Sequence, residues 1–136
     1  MAKYKDGSIG IRVGHFDEIN QIETIIEKLV KDPCTRRAQV ITWMVEMDNK
    51  FDDCPCLQSL HFRLTPEEKG YSLNTNIRFR SNDSTRAHFC NFFGFIQFIR
   101  NKIIFPLQVR LGCEINYGRI NWQADSWHIY GSEIKN

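Results

Sequence analysis

Between residues 89 and 96 the chain reads Phe89-Cys90-Asn91-Phe92-Phe93-Gly94-Phe95-Ile96, apolar nearly all the way round a helix. A helix of that kind sits in the middle of a core. The rest of the chain must therefore enclose it. The helix is predicted over about residues 84–102, with Asp83 or Ser84 as its cap. What surrounds it reads mostly as strands, because apolar residues recur at every second position. Over residues 38–47 the shared face is Ile41, Trp43, Val45 and Met47. Over 57–64 it is Leu60, Phe62 and Leu64, and over 71–79 it is Leu73, Thr75, Ile77 and Phe79. The turn formers Pro66-Glu67-Glu68-Lys69-Gly70 join the last two into a hairpin. Further strands are predicted over 107–117, with Val109, Leu111, Cys113 and Ile115 inward, and over 119–130. Gly118 shifts the alternation between them, as a bulge or tight turn would.

One more helix is predicted over about residues 17–31. Ile19, Ile22, Ile26 and Leu29 repeat at helical spacing, Asp17 serves as its N-cap, and Pro33 ends it at Asp32. Helices and strands do not alternate regularly. The fold class is therefore α+β: a mixed, mostly antiparallel sheet packed with a buried central helix.

Length and composition narrow the function. The 136 residues suit one domain with one core. Ten Phe argue against disorder, and no run of about 18 apolar residues spans a membrane. A net charge of +2 does not imply a nucleic-acid partner. The first residues, Met1-Ala2-Lys3-Tyr4-Lys5-Asp6, contain no apolar signal-peptide region. The five cysteines are an odd number, so reduced thiols and a cytoplasmic location are expected. No metal site is expected. Cys54-Pro55-Cys56 has only one residue between its thiols, and no second ligand pair follows at a zinc spacing.

Several polar residues stand where a purely structural chain would not need them. Asn91 lies inside the most apolar stretch. Burying an unpaired amide costs roughly 1–3 kcal/mol. Either a neighbouring backbone group satisfies it, or it presents a donor and an acceptor to a ligand such as an imide. Arg80-Ser81-Asn82-Asp83 ends a strand and opens the apolar helix. It is either a capped helix start with a solvated arginine or an anion site. Arg36-Arg37 is a surface charge pair, a phosphate clamp or a subunit contact. His128 and Tyr130 share one strand face, as structural residues or as a polar edge for a sugar hydroxyl. Cys56 follows Pro55 at a strand start. It is an inert thiol, or a nucleophile if arginines lower its pKa.

These segments, in this order, resemble the thymidylate synthase family. The resemblance starts at Asp32-Pro33-Cys34-Thr35-Arg36-Arg37-Ala38. It passes through Trp43, Pro55-Cys56, Arg80-Ser81-x-Asp83 and Asn91, and closes at His128-Ile129-Tyr130. It implies a role for each residue. Cys56 is the nucleophile, and Asp83 lies near the pterin and the base. Arg80 and Ser81 hold the nucleotide phosphate. Arg36 and Arg37 reach the phosphate in a neighbouring subunit's site, because the family forms obligate homodimers with shared sites. Asn91 reads the base, and His128 and Tyr130 bind the ribose 3′-hydroxyl.

The resemblance also implies the chemistry. The Cys56 thiolate attacks carbon 6 of dUMP, which makes carbon 5 nucleophilic. Carbon 5 then takes a one-carbon unit from 5,10-methylenetetrahydrofolate. Hydroxymethylation of dUMP, dCMP or CMP on the same fold is the alternative, as is a nucleotide-binding relative without catalysis. Three positions depart from the family's usual pattern. Leu57 stands where a His usually follows the nucleophile. Arg86-Ala87-His88-Phe89 replaces Leu-Gly-x-Pro. Asp125-Ser126 replaces a Gly-Asp pair. The family's chain is about twice as long, so residues 1–136 are expected to form a single domain without the family's N- and C-terminal parts.

Overall fold

The computed structural model describes residues 15–16 and 19–134. Two short strands, β1 (His15–Phe16) and β2 (Ile19–Asn20), pair antiparallel and lead into helix α1 (Gln21–Lys31). The helix starts later than its apolar spacing suggests. Asn20 is the N-cap, its side chain accepting from the Glu23 N–H at 3.1 Å. The expected cap, Asp17, lies outside the described residues. Ile25, Ile26 and Leu29 form the buried stripe, and Asp32 leaves the helix in an extended conformation ahead of Pro33.

The sheet has four strands in the order β3 (Ala38–Ile41), β4 (Leu57–Glu67), β5 (Gly70–Phe79) and β7 (Glu114–Ala124). The first two pairings are antiparallel and the last is parallel, so the sheet is mixed and mostly antiparallel. The inward faces of β4 and β5 are those the alternation predicts: Leu60, Phe62 and Leu64 on one, Leu73, Thr75, Ile77 and Phe79 on the other. The 38–47 segment differs. Its strand ends at Ile41, and Ala38, Val40 and Thr42 face inward while Ile41 is exposed. Val45 and Met47 belong to a short helical turn, α2 (Val45–Asp48), closed by a bond from the Met44 N–H to the buried Asp48 carboxylate at 2.6 Å. An alternation counted from Trp43, Val45 and Met47 therefore assigned the wrong face.

The apolar segment forms helix α3 (Ala87–Ile99), whose Phe95 packs against the sheet residues Phe79 and Trp122. Phe95 and Ile99 are buried, and Phe95 meets Phe79 edge-on at 6.0 Å. Its opposite face is open in this chain: Phe89, Cys90, Phe93 and Gly94 are exposed.

The helix does not stop near residue 102. It continues through a π-helical segment (Arg100–Ile104) into α4 (Phe105–Leu111). The strand predicted from residue 107 is thus helical over its first five residues. Pro106 offers no N–H and crowds the preceding turn, which would break a regular helix. The wider π turn, with the Phe105 N–H bonded to the Arg100 carbonyl, accommodates it. Val109, expected to face inward, is exposed, while Leu107 is buried at the helical spacing. Gly112 ends the helix in the left-handed region (φ 64°), its N–H bonded to Gln108 O at 2.9 Å.

Strand β7 then runs beside β5, and its register slips between Leu73 and Thr75, opposite Gly118. A Cβ on Gly118 would lie 2.8 Å from Asn74 Oδ1 and 3.0 Å from the Leu73 carbonyl, so the bulge excludes a side chain there. After β7 a two-residue strand, β8 (Trp127–His128), pairs in parallel with β6 (Asn82–Asp83). Among the described residues, no helix is long and apolar enough to cross a membrane.

Candidate active site

The β5–β7 pairing does not end with the sheet. Asp125, Ser126 and Ser84 donate backbone N–H bonds to Phe79, Arg80 and His128 at 3.0, 3.1 and 3.0 Å, and Asn82 donates to Ser126 at 2.9 Å. This ladder carries residues 80–84 alongside residues 125–128. Both predicted motifs, Arg80-Ser81-x-Asp83 and His128-x-Tyr130, thus meet at one corner of the molecule.

Arg80 ties that corner to the loop before β4. Its backbone N–H donates to Cys56 O at 2.8 Å, its Nε donates to Pro55 O at 3.2 Å, and Nη2 donates to Cys54 O. Three donors from one residue hold three consecutive carbonyls and so fix the backbone that bears Cys56. A guanidinium has five N–H donors, so three remain for an anion. Cys56 is exposed, and its thiol is open to solvent. Leu57, at the position of the family's usual histidine, is buried, and its carbonyl accepts from the Thr42 hydroxyl.

The Ser81 hydroxyl lies 3.1 Å from His128 Nδ1. The His128 carbonyl accepts from the Ser84 hydroxyl at 3.0 Å, and the Tyr130 ring meets the His128 ring edge-on at 5.0 Å. Asp83 has an anchoring task. One carboxylate oxygen accepts from the Thr85 N–H at 2.9 Å and its hydroxyl at 2.8 Å, and the other accepts from the Ala87 N–H at 3.3 Å. These bonds, those from Thr85 foremost, hold its pKa down at about 2. It is therefore a carboxylate at neutral pH, fastening the start of α3.

Asn91 is half-buried, and its partner is a side chain rather than a backbone group. Its Nδ2 donates to Asn82 Oδ1 at 3.4 Å. Asn82, almost fully buried, passes the contact on, its Nδ2 lying 3.1 Å from His88 Nδ1. The His88 ring stands edge-on to Trp122 and Trp127 at 5.1 and 4.9 Å. Neither Asn82 nor His88 stands out in the sequence. The one available signal is that His88 falls inside the stretch that departs from the family's pattern.

Arg36 and Arg37 are not at this corner. They precede β3, whose first residue, Ala38, pairs with Phe62. Phe62 is midway along β4, and the corner lies at the start of that strand, where Leu57 pairs with Phe79. Five to seven residues of strand separate the two, roughly 17–23 Å at the usual rise. The Arg36 carbonyl faces His61 Nε2 at 3.1 Å, and the Arg37 carbonyl accepts from Lys28 Nζ at 3.5 Å. Both arginines are exposed, and among the described residues neither guanidinium is paired with a carboxylate. A groove of about 490 Å³ beside the π-helical segment, lined by Arg100, Phe105, Gln108 and Tyr117, contains none of the predicted site residues. No group of three or more His, Cys, Asp or Glu side chains among the described residues is placed to hold a metal ion.

The sequence pattern of the thymidylate synthase family matches residues 6–136. A Methanococcoides burtonii protein named "Putative thymidylate synthase" is 31% identical over 122 residues, which cover 89% of this chain and 51% of that protein. A Methanocaldococcus jannaschii protein of the same name is 33% identical over 122 residues, covering 84% and 49%. The chain thus spans about half the length of these curated relatives. Two solved structures share the fold. Thymidylate synthase A from Bacillus subtilis superposes with a TM-score of 0.69 at 21% identity, over 96% of this chain and 46% of its own. The T4 phage thymidylate synthase gives 0.72 at 18% identity, over 91% and 40%. With a family match across almost its whole length, this chain belongs to the thymidylate synthase family.

Proposed function

We propose that the protein transfers a one-carbon unit from 5,10-methylenetetrahydrofolate to carbon 5 of dUMP. Cys56 is the nucleophile in this reading. The observation that carries it is the corner itself: Arg80 holds the Cys56 backbone while its neighbour Ser81 contacts His128. A nucleotide laid across that corner has its phosphate near the free Arg80 donors and Ser81. Its ribose lies near His128 and Tyr130, and its base between Cys56 and Asn91.

The chemistry follows from what uracil lacks. Carbon 5 of free uracil is a weak nucleophile. When the Cys56 thiolate bonds to carbon 6, the electron pair of the 5,6 double bond moves toward the carbon 4 carbonyl as an enolate, and carbon 5 becomes nucleophilic. Hydrogen bonds to the developing oxyanion, donated in this reading by Asn91, lower the barrier. The folate supplies the one-carbon unit and, for a methyl product, a hydride; carbon 5 gives up its proton, and the Cys56–carbon 6 bond breaks to return the thiolate and release the product. Asp83 positions the start of α3, and with it Asn91, instead of exchanging protons.

The separation of Arg36 and Arg37 from the corner supports a further element of the proposal, a site shared between two subunits. Roughly 20 Å along a strand is too far for an arginine to reach a nucleotide in its own subunit. Two exposed guanidiniums without carboxylate partners among the described residues suit a phosphate in a second subunit's site, in a homodimer with shared sites.

Tritium release from carbon 5 of labelled dUMP, measured on the full-length protein with the folate, tests the reaction. Release that disappears in Cys56→Ala supports it, and undiminished release in that variant contradicts it. Identification of the product as methyl or hydroxymethyl separates synthase from hydroxymethylase.

A further inference from the structure

We infer that Asn82 and His88 act as positioning residues that fix which way the Asn91 amide faces, and so select uracil over cytosine. This rests on the reading of Asn91 as the group that meets the base.

The three side chains form a relay with one direction. Asn91 Nδ2 donates to Asn82 Oδ1 at 3.4 Å, and Asn82 Nδ2 lies 3.1 Å from His88 Nδ1. An amide nitrogen donates and does not accept, so His88 Nδ1 must offer its lone pair and the ring proton belongs on Nε2. Nothing about this ring invites rotation. Trp122 and Trp127 meet it edge-on with interplanar angles of 83° and 79°, and Phe92 tilts against it at 6.1 Å. Asn82 is equally confined. It is 3% exposed, and its backbone N–H is held by Ser126.

The relay determines what Asn91 has left for a ligand. One Nδ2 hydrogen points inward to Asn82. The other hydrogen and Oδ1 remain outward, with their order fixed. In that order the amide accepts from the uracil ring N–H and donates to the carbonyl at carbon 4. Cytosine presents the reverse, a bare ring nitrogen and an amino group. To suit cytosine, Asn91 would have to turn over and direct Oδ1 at Asn82. Asn82 would then have to turn as well, leaving its own oxygen against the His88 lone pair. Reversal therefore needs a proton moved onto His88 Nδ1. The helical spacing makes the arrangement possible, because His88 and Asn91 are three residues apart on the same face of α3.

The experiment is calorimetric titration of the full-length protein with dUMP and with dCMP, in wild type and three variants. Wild type should prefer dUMP by roughly tenfold or more. Asn82→Leu removes the relay. His88→Phe keeps the ring packing and removes Nδ1. In either variant the preference should fall to within about threefold of unity, as expected when one hydrogen-bonded constraint is lost. Asn82→Asp should retain the preference, because a carboxylate can only accept from Asn91. Nitrogen NMR of wild type should show the His88 proton on Nε2.

Wild-type preference retained in both Asn82→Leu and His88→Phe would overturn the inference, as would equal binding of the two nucleotides by wild type or a proton on Nδ1. Binding of neither nucleotide by wild type would instead overturn the proposed function. Should Asn82→Leu fail to fold, the His88→Phe ratio and the NMR signal decide the question.

Discussion

The two ends of the β3–β4 pairing differ in how they treat their polar residues. At the Leu57 end, Arg80, Ser81, Asn82, Asp83, Asn91 and His128 are bound to one another or to nearby backbone. At the Phe62 end, Arg36 and Arg37 project outward, and only their backbone groups are tied down. A guanidinium already fastened within its own chain is positioned in advance, whereas an exposed one gains fixed geometry only from what it meets. The corner therefore reads as a site pre-organised within one chain, and the arginine pair as a contribution to a site elsewhere.

The largest effect expected from this contrast lies at the corner. Cys56→Ala in the full-length protein should reduce tritium release by at least about a thousandfold, since nucleophile removal leaves only binding and electrostatic assistance. Nucleotide affinity, measured by calorimetry, should change little. A smaller effect is expected at the opposite end. Arg37→Ala should weaken dUMP binding roughly tenfold to a hundredfold, the equivalent of one charge-assisted bond. A similar loss of thermal stability in that variant would remove the distinction, because it would make Arg37 a structural residue.

Asp83 sharpens the comparison through pH. Its pKa falls from an ordinary 3.8 to about 2 on folding, so its bonds stabilise the native chain above pH 3.8 and that support is lost as pH falls through about 2. Asp83→Asn should lower Tm at pH 7, and the gap from wild type should close over that acidic window. A gap independent of pH would show that the lost stability is not linked to the ionised carboxylate. The smallest effect is expected at Cys90. An apolar helix suggests a core thiol there, but the residue is exposed in this chain. Cys90→Ser should change the stability of residues 1–136 by no more than about 0.5 kcal/mol, as measured by urea denaturation.

Legibility in the sequence followed the kind of interaction. The alternation of Leu60, Phe62 and Leu64 against Leu73, Thr75 and Ile77 was readable because strand burial repeats locally, at every second residue. The segment after Pro106 was misread for an equally local reason. Leu107 and Leu111 are spaced for a helix, while Val109, Leu111 and Cys113 also fit a strand, and a proline at 106 disfavours a regular helix. Only a widened π turn resolves that conflict, and single residue types do not announce one. Ile41 was assigned to the wrong face because the strand ended before the residues used to count its phase.

The site was legible as a set of residue types rather than as an arrangement. Arg80 and Cys56 are 24 residues apart in sequence, and their contact exists because β4 and β5 pair as a hairpin whose register shifts between Leu57 and Ser59, setting Leu57 opposite Phe79. The Asn91–Asn82–His88 relay was not legible at all. None of its spacings is a motif, and its direction depends on which imidazole nitrogen faces the amide.

Hybrid dimers test the central claim most directly, that one site draws on two chains. Full-length Cys56→Ala and Arg37→Ala proteins, each inactive or weakly active alone, are mixed in equal amounts and allowed to exchange subunits. Half of the dimers are then hybrids, and each hybrid has one site with an intact Cys56 and an intact partner arginine. Recovery should reach about a quarter of wild-type tritium release, the share expected for closed two-fold dimers. Exchange confirmed by native mass spectrometry with no recovery of activity would contradict the shared site.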